Sequence, residues 1–470
     1  MEVGKYMNGL HFKTSLGGEY FYNNCDGLIY PEEQADKSTV LSSAESEKDD
    51  IAVMADGNLI KQQLKGSGFR ELILETSQAC NFRCKYCCYS DHYQNTRSHG
   101  NKLMDFETAK KAVDFYLEQF KNYSQGNIWR NPTIAFYGGE PLLNFSLIEK
   151  VVEYVKNKYP QYNADYTLTT NAVLMSEKFM DFLVKNNFSV IISFDGNKEN
   201  HDRNRVDVNG NGTYDIVYGK ICEFRKKYPD YMKLGISLCY DYRTDLFELE
   251  KFLEKENLFV VSASMISAIE TDYYEQFSKK EKDRFFAQYN ALKEKYLRLS
   301  KENKISMKYR GLLMPLFAMS YLEFANHSVC AQKRPIGFPY SGSCVPGEKI
   351  YVTLDGNIHI CEKMNTNFHI GNLSDGLNYD RMAEFENAIN IHQKKCSNCN
   401  ISRLCSLCFS QMVSSDKLVL NENYCIERRE QVREMLAEYT EIMEQSPDNF
   451  DSFISGYFDE MHNITGNIVD

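Results

Sequence analysis

The chain of 470 residues has no apolar run near the roughly 20 residues that a membrane-spanning helix requires. Its opening, MEVGKYMNGL, is polar and is not a signal peptide. These two absences lead to the expectation of a cytoplasmic protein, without membrane partners. Positive charge is also in deficit, with 54 Lys and Arg against 65 Asp and Glu and a net charge of -11. That balance argues against a general nucleic-acid binder, which needs a broad basic surface. No segment repeats another. What the chain has in excess is cysteine: 15, an odd number, most of them in clusters. Disulfides are rare in a reducing compartment, so such clusters point to metal ligation rather than to a disulfide framework. The length suggests about three domains, and the hydrophobic content of 43% is ordinary for a globular protein.

From Phe69 to about Asn303, short β-rich runs alternate with amphipathic helical stretches. The runs are ELILETS, TIAFYGG, DYTLTTN, FSVIISFDG, KLGISLCY and FVVSASMIS. Six β-then-α units in succession imply a parallel sheet with right-handed crossovers. Sites in such sheets gather at the carboxyl ends of the strands. Ser278 and Glu281 form a capping box that opens the last helix. Ahead of this block, GEYFYNN and GLIYP read as short strands around the turn NCDG, followed by a polar, linker-like run over 34–50. Beyond residue 325 the chain becomes loop-rich and cysteine-rich. A charged helix (ERREQVREMLAEYTEIMEQ) and an acidic tail end it.

The first cysteine cluster, CNFRCKYCCY, places Cys80, Cys84 and Cys87 at C-x3-C-x2-C spacing directly after the first of these strands. Thiolates are soft ligands suited to iron–sulfur clusters or zinc. A closed structural zinc site takes four ligands, whereas three cysteines leave one iron of a cluster open. Cys88 reads as a small buried hydrophobe. FYGGEP ends the second run with Gly138, Gly139 and Glu140, and two glycines allow close backbone approach. TLTTN ends the third with Thr169 and Asn171. SFDGNKENHDRNR ends the fourth, with Ser193 and, twelve residues on, Arg205. His201 and Asp202 read as local turn structure.

C-x3-C-x2-C with Tyr86 before its last cysteine resembles the signature of the radical S-adenosylmethionine (SAM) superfamily. The resemblance implies a partial (β/α)6 TIM-like barrel. It also implies a [4Fe–4S] cluster on Cys80, Cys84 and Cys87, whose open iron chelates the methionine part of SAM and whose reduction yields a 5′-deoxyadenosyl radical. The same resemblance assigns Tyr86, Gly138, Gly139, Glu140, Thr169, Asn171, Ser193 and Arg205 to SAM. Within that set Gly138–Glu140 would meet the amino group, and Ser193 with Arg205 the carboxylate. The fork of an arginine suits a carboxylate because it is permanently charged and bidentate.

Downstream, CVPGEKIYVTLDGNIHIC carries Cys344 and Cys361. CSNCNISRLCSLC carries Cys396, Cys399, Cys405 and Cys408, and Cys425 follows. In isolation two C-x2-C pairs favour zinc. Seven cysteines in this order resemble the SPASM domain, an auxiliary-cluster extension of radical SAM enzymes, although the final gap is two residues where that pattern has three. The resemblance implies an outer [4Fe–4S] cluster on Cys396, Cys399, Cys405 and Cys425. It implies an inner one on Cys344, Cys361 and Cys408, with Cys330 a candidate fourth ligand. Cys25, Cys222 and Cys239 read as core or surface thiols.

Four segments are expected: 1–68, a β-rich, winged-helix-like domain that captures a leader peptide by β-augmentation; 69–325, the radical SAM core; 326–435, the SPASM domain; and 436–470, a C-terminal helix and tail. The whole resembles maturases of ribosomally made peptides of the thioether-forming, sactipeptide or ranthipeptide type. Three [4Fe–4S] clusters and SAM are the implied cofactors. A precursor peptide and an electron donor such as flavodoxin or ferredoxin are the implied partners. No catalytic acid or base is assigned. Sulfatase maturation to formylglycine, carbon–carbon crosslinking and epimerisation remain alternatives, as does a zinc-stabilised binding module from a different class.

Overall fold

The computed structural model describes residues 9–35, 54–90, 92–93, 97–325, 327, 345–390, 396, 399–448 and 455–465. Cys330 and Cys344 lie outside the described residues, as does most of the linker-like run. The chain begins with β1 (Gly9–Lys13), β2 (Glu19–Asn23) and β3 (Ile29–Pro31), an antiparallel three-stranded sheet. Helix α1 (Gly57–Ser67) follows, capped by Asp56, whose side chain accepts from Asn58 N and Leu59 N.

The core then alternates strand and helix: β4 (Glu71–Ser77), α2 (Phe106–Asn122), β5 (Thr133–Gly138), α3 (Phe145–Lys158), β6 (Asp165–Thr170), α4 (Glu177–Lys185), β7 (Ser189–Ser193), α5 (Lys198–Asn204), α6 (Tyr214–Lys227), β8 (Leu234–Tyr240), α7 (Leu246–Glu256), β9 (Val260–Met265) and α8 (Lys279–Lys301). Each of the six β-rich runs forms one of the strands β4–β9, and all their pairings are parallel. The capping box is present, with Ser278 Oγ accepting from Glu281 N and Ser278 N donating to the Glu281 carboxylate.

A period of two sorts side chains between the faces of this sheet. Leu72, Leu74, Ile134, Phe136, Leu168, Val190, Ile192 and Leu238 join the helices in one continuous apolar core. The opposite face carries Glu71, Glu75, Thr133, Thr167, Thr169, Ser193, Ser237 and Cys239 beside a small apolar cluster of Ile73, Ala135 and Tyr351.

The C-terminal region departs from the loop-rich reading. After α9 (Met319–Ala325), strands β10 (Lys349–Val352), β11 (Asn357–His359), β12 (His369–Asn372) and β13 (Gly376–Leu377) continue the core sheet instead of forming a separate body. The sheet has ten strands in the order β13-β12-β11-β10-β4-β5-β6-β7-β8-β9. Strand β10 runs parallel to β4, in the register Tyr351 to Ile73, and β11–β13 are antiparallel. Strands of two to four residues carry too little periodicity to be read from sequence. Then come α10 (Tyr379–Asn390), the hairpin β14 (Val413–Ser414) and β15 (Lys417–Leu418), α11 (Glu422–Gln445) and α12 (Ser455–Thr465). No helix among the described residues is long and apolar enough to cross a membrane.

The small N-terminal sheet docks on the C-terminal region. Leu10, Phe12 and Tyr22 pack with Ile401, Leu404, Val432 and Leu436. Helix α1 goes elsewhere: Gln63 Nε2 donates to Glu386 on α10 at 3.1 Å. The first 68 residues thus supply two pieces that pack on different neighbours.

Candidate functional site

The cysteine loop leaves the carboxyl end of β4. Cys80, Cys84 and Cys87 are each half-buried within it. Burial pushes the Cys80 thiol up to about 12, and burial also raises Cys84. Cys87 is raised by its hydrogen bond with Cys88 and then by burial. Desolvated thiolates need a strongly cationic partner, and iron ions supply one, so the donor set fits a cluster. Among the described residues no three His, Cys, Asp or Glu side chains are drawn in tightly enough to hold a single ion. The fit therefore rests on donor chemistry and surroundings.

Those surroundings come from the ends of β5, β6 and β7. Gly139 N donates to Ser77 O at 2.7 Å, and Glu140 N to Ala79 O at 2.9 Å. A Cβ on Gly138 would lie 2.4 Å from Ser77 O, and one on Gly139 2.3 Å from Ala79 O. Gly138 also adopts φ +132, a conformation that favours glycine. The two glycines thus let β5 close against the backbone at the root of the cysteine loop. The Glu140 carboxylate is buried and accepts from Leu142 N at 3.0 Å, Thr170 Oγ1 at 2.6 Å and Asn171 N at 2.8 Å. Its side chain ties β5 to β6, leaving mainly backbone for an outside ligand. Asn171 Nδ2 donates to Asn81 Oδ1 at 2.8 Å and lies 3.9 Å from Cys80 Sγ. Thr169 and Ser193 are half-buried on the inner face.

Arg205 arrives beside Cys84, whose thiolate it favours. Its side chain is 8% exposed, and Nε lies 3.0 Å from Asp195 Oδ2 without the alignment of a hydrogen bond. The Tyr86 ring faces the guanidinium at 5.3 Å, and Tyr86 OH donates to Asp195 Oδ2 at 2.7 Å. Asp195 Oδ1 accepts from Cys239 N at 3.0 Å. Asp195 is the residue that sequence reasoning missed. Its signal in the sequence is the third position of SFDG. Cys239, read as a core or surface thiol, belongs to this same neighbourhood.

His201 and Asp202 hold the turn, as expected. Asp195 N donates to His201 Nδ1 at 3.3 Å, His201 Nε2 lies 3.1 Å from Thr213 Oγ1, and Thr213 Oγ1 donates to Arg205 O at 2.9 Å. Burial, then the Arg205 charge, push His201 down to about 2, so it stays neutral and acts as a fixed strut.

The second cysteine field is partly described. Cys361 follows β11, which lies between β10 and β12 in the sheet. Cys396, Cys399, Cys405, Cys408 and Cys425 are all half-buried. Burial raises the Cys405 thiol, with Cys399 and Cys425 close enough to add to the shift. Asn24 Nδ2 donates to Cys399 O at 3.1 Å and Arg403 Nε donates to Asn24 O at 2.8 Å, so the N-terminal turn lies on this loop.

Residues 74–240 match the model of the Radical SAM superfamily. A cysteine-type anaerobic sulfatase-maturating enzyme of Clostridium perfringens is 27% identical over 352 residues, 71% of this chain and 86% of that protein. The radical SAM cyclopropyl synthase TigE of Paramaledivibacter caminithermalis is 30% identical over 142 residues, 29% of each chain. Against the first curated relatives matched, the chain spans less than half of their length. The solved structure of histidine-tagged anSMEcpe with bound AdoMet superposes with a TM-score of 0.56 at 21% identity, covering 84% of this chain and 98% of that one. The fold is the radical SAM α/β fold with a mixed sheet.

Proposed function

We propose that this protein is a radical SAM peptide maturase that installs thioether crosslinks, joining a cysteine sulfur to a carbon of the same ribosomally made precursor. The observation that carries the radical chemistry is the buried Arg205–Asp195–Tyr86 group set against Cys84 at the strand ends. When bound, a [4Fe–4S] cluster on Cys80, Cys84 and Cys87 together with SAM supplies a hydrogen-abstracting radical. Arg205, with Ser193, would receive the SAM carboxylate. Tyr86, Thr169, Asn171 and the backbone of Gly138–Glu140 would shape the rest of the pocket. The SPASM-type assignments also belong to this proposal: Cys361, Cys408 and Cys344, with Cys330 as candidate, on an inner cluster, and Cys396, Cys399, Cys405 and Cys425 on an outer one.

The finer thioether reading is supported by Cys361 lying just past the end of β11, a strand of the same sheet as the radical site. A peptide partner and a flavodoxin- or ferredoxin-type electron donor follow from the same reading. Sulfatase maturation is the second reading, favoured by the relative matched over 86% of its length. The test is anaerobic reconstitution, reduction, and incubation with SAM and a cysteine-bearing precursor. Loss of a hydrogen pair with the thiol blocked from alkylation is expected. Loss of sulfur with gain of an aldehyde would support the second reading. Failure to form 5′-deoxyadenosine would overturn both.

A further inference from the structure

Arg97 lies just beyond the cysteine loop. Its Nη2 donates to Glu362 O at 2.7 Å, next to Cys361, and its guanidinium stacks on Tyr351 of β10 at 4.3 Å from the ring centre. Arg97 therefore spans the gap between the two cysteine fields. Its Nη1 is buried and has no hydrogen-bond partner among the described residues, and the same is true of the Tyr351 hydroxyl. The nearby carboxylate of Glu75 is already engaged, accepting from Tyr89 OH at 3.1 Å and Leu354 N at 3.2 Å. A buried charged donor without an acceptor is costly. Two such donors on stacked neighbours call for an oxygen acceptor from outside the chain, and a guanidinium fork selects a carboxylate.

We infer that Arg97 and Tyr351 form a carboxylate-binding subsite that anchors the peptide substrate between the radical site and Cys361. The inference rests on the peptide-maturase reading and names the group by which the substrate is held. The carboxylate comes from an acidic side chain or from the peptide's own C-terminus. A peptide fixed here would present neighbouring residues to both cysteine fields at once.

The test uses the full, anaerobically reconstituted chain with SAM and three labelled peptides followed by fluorescence anisotropy. One is GGCGGEGG-amide with an uncharged BODIPY label on its N-terminus, the second carries Gln for Glu, and the third is the Gln peptide with a free C-terminus. At least one carboxylate peptide should bind tenfold or more tightly than the neutral one. Arg97→Gln should abolish that preference, Arg97→Lys should retain part of it, and Tyr351→Phe should weaken it severalfold. Equal binding of all three peptides to the wild type, or a preference that survives Arg97→Gln, would overturn the subsite and leave water as the acceptor. Formation of 5′-deoxyadenosine in the same samples separates this failure from failure of the radical reading.

Discussion

Arg205 draws its position from three directions: Asp195 at 3.0 Å, the Tyr86 ring at 5.3 Å, and the Thr213 hydroxyl that donates to its carbonyl at 2.9 Å. Such fixing leaves the guanidinium pre-organised, which lowers the entropy lost when it grips a carboxylate. Arg205→Lys keeps the charge but replaces the fork by a point donor. SAM affinity should fall by roughly 1.5–3 kcal/mol, the worth of one charge-assisted hydrogen bond, while iron content is unchanged. Calorimetric titration decides the matter, and an unaltered affinity removes Arg205 from the cofactor site.

At the scale of elements, the site depends on how closely β5 meets the loop after β4. A methyl at position 139 would stand 2.3 Å from Ala79 O. Gly139→Ala should force the strand end and the cysteine loop apart, cost about 1–3 kcal/mol of stability, and reduce iron loading and SAM cleavage together. Gly66→Ala is the control, since nothing lies within 4 Å of its added Cβ. Retained iron and cleavage in Gly139→Ala would mean that the close approach is dispensable.

The packing of α1 on α10 buries Glu386, whose Oε1 has no hydrogen-bond partner among the described residues. Burial pushes this carboxyl up from 4.5 to about 7. Between those values the folded chain keeps a proton that the unfolded chain releases, so stability falls as pH rises through the window. The deficit is complete above pH 7 and absent below 4.5. Glu386→Gln removes the titration. Wild type and variant should melt alike at low pH, and above pH 7 the variant should be more stable by about 3 kcal/mol. Parallel melting curves across the whole range would show that Glu386 does not titrate with folding.

For the whole molecule, the N-terminal sheet binds the C-terminal region through Ser15 N to Glu441 at 2.9 Å, Tyr20 OH to Glu444 at 2.6 Å, and the Asn24–Arg403 contacts. This sheet covers the loop that carries Cys399 and Cys405. Among the described residues its strand β1 pairs on one side only, with β2. Deleting residues 1–35 should leave SAM cleavage by the core largely intact. Chelator should then strip iron from the C-terminal field several-fold faster than in the full chain. Equal stripping rates would show that the sheet does not shield that field.

The sequence alone determined the six parallel strands and their helices, because each strand is long enough to register an apolar run and each helix an amphipathic period. It also determined the donor chemistry of the cysteine triplet, since ligand spacing within one loop is a property of adjacent residues. Only the tertiary structure decided that β10–β13 extend the same sheet. Pairing between Ile73 and Tyr351 joins residues far apart in the chain and leaves no local trace in strands this short. The same holds for Asp195 under Arg205, for Arg97 on Tyr351, and for Glu140, whose carboxylate turned inward to β6. Each is a choice among partners brought together by the folded backbone, and burial, not spacing, fixes which partner is taken.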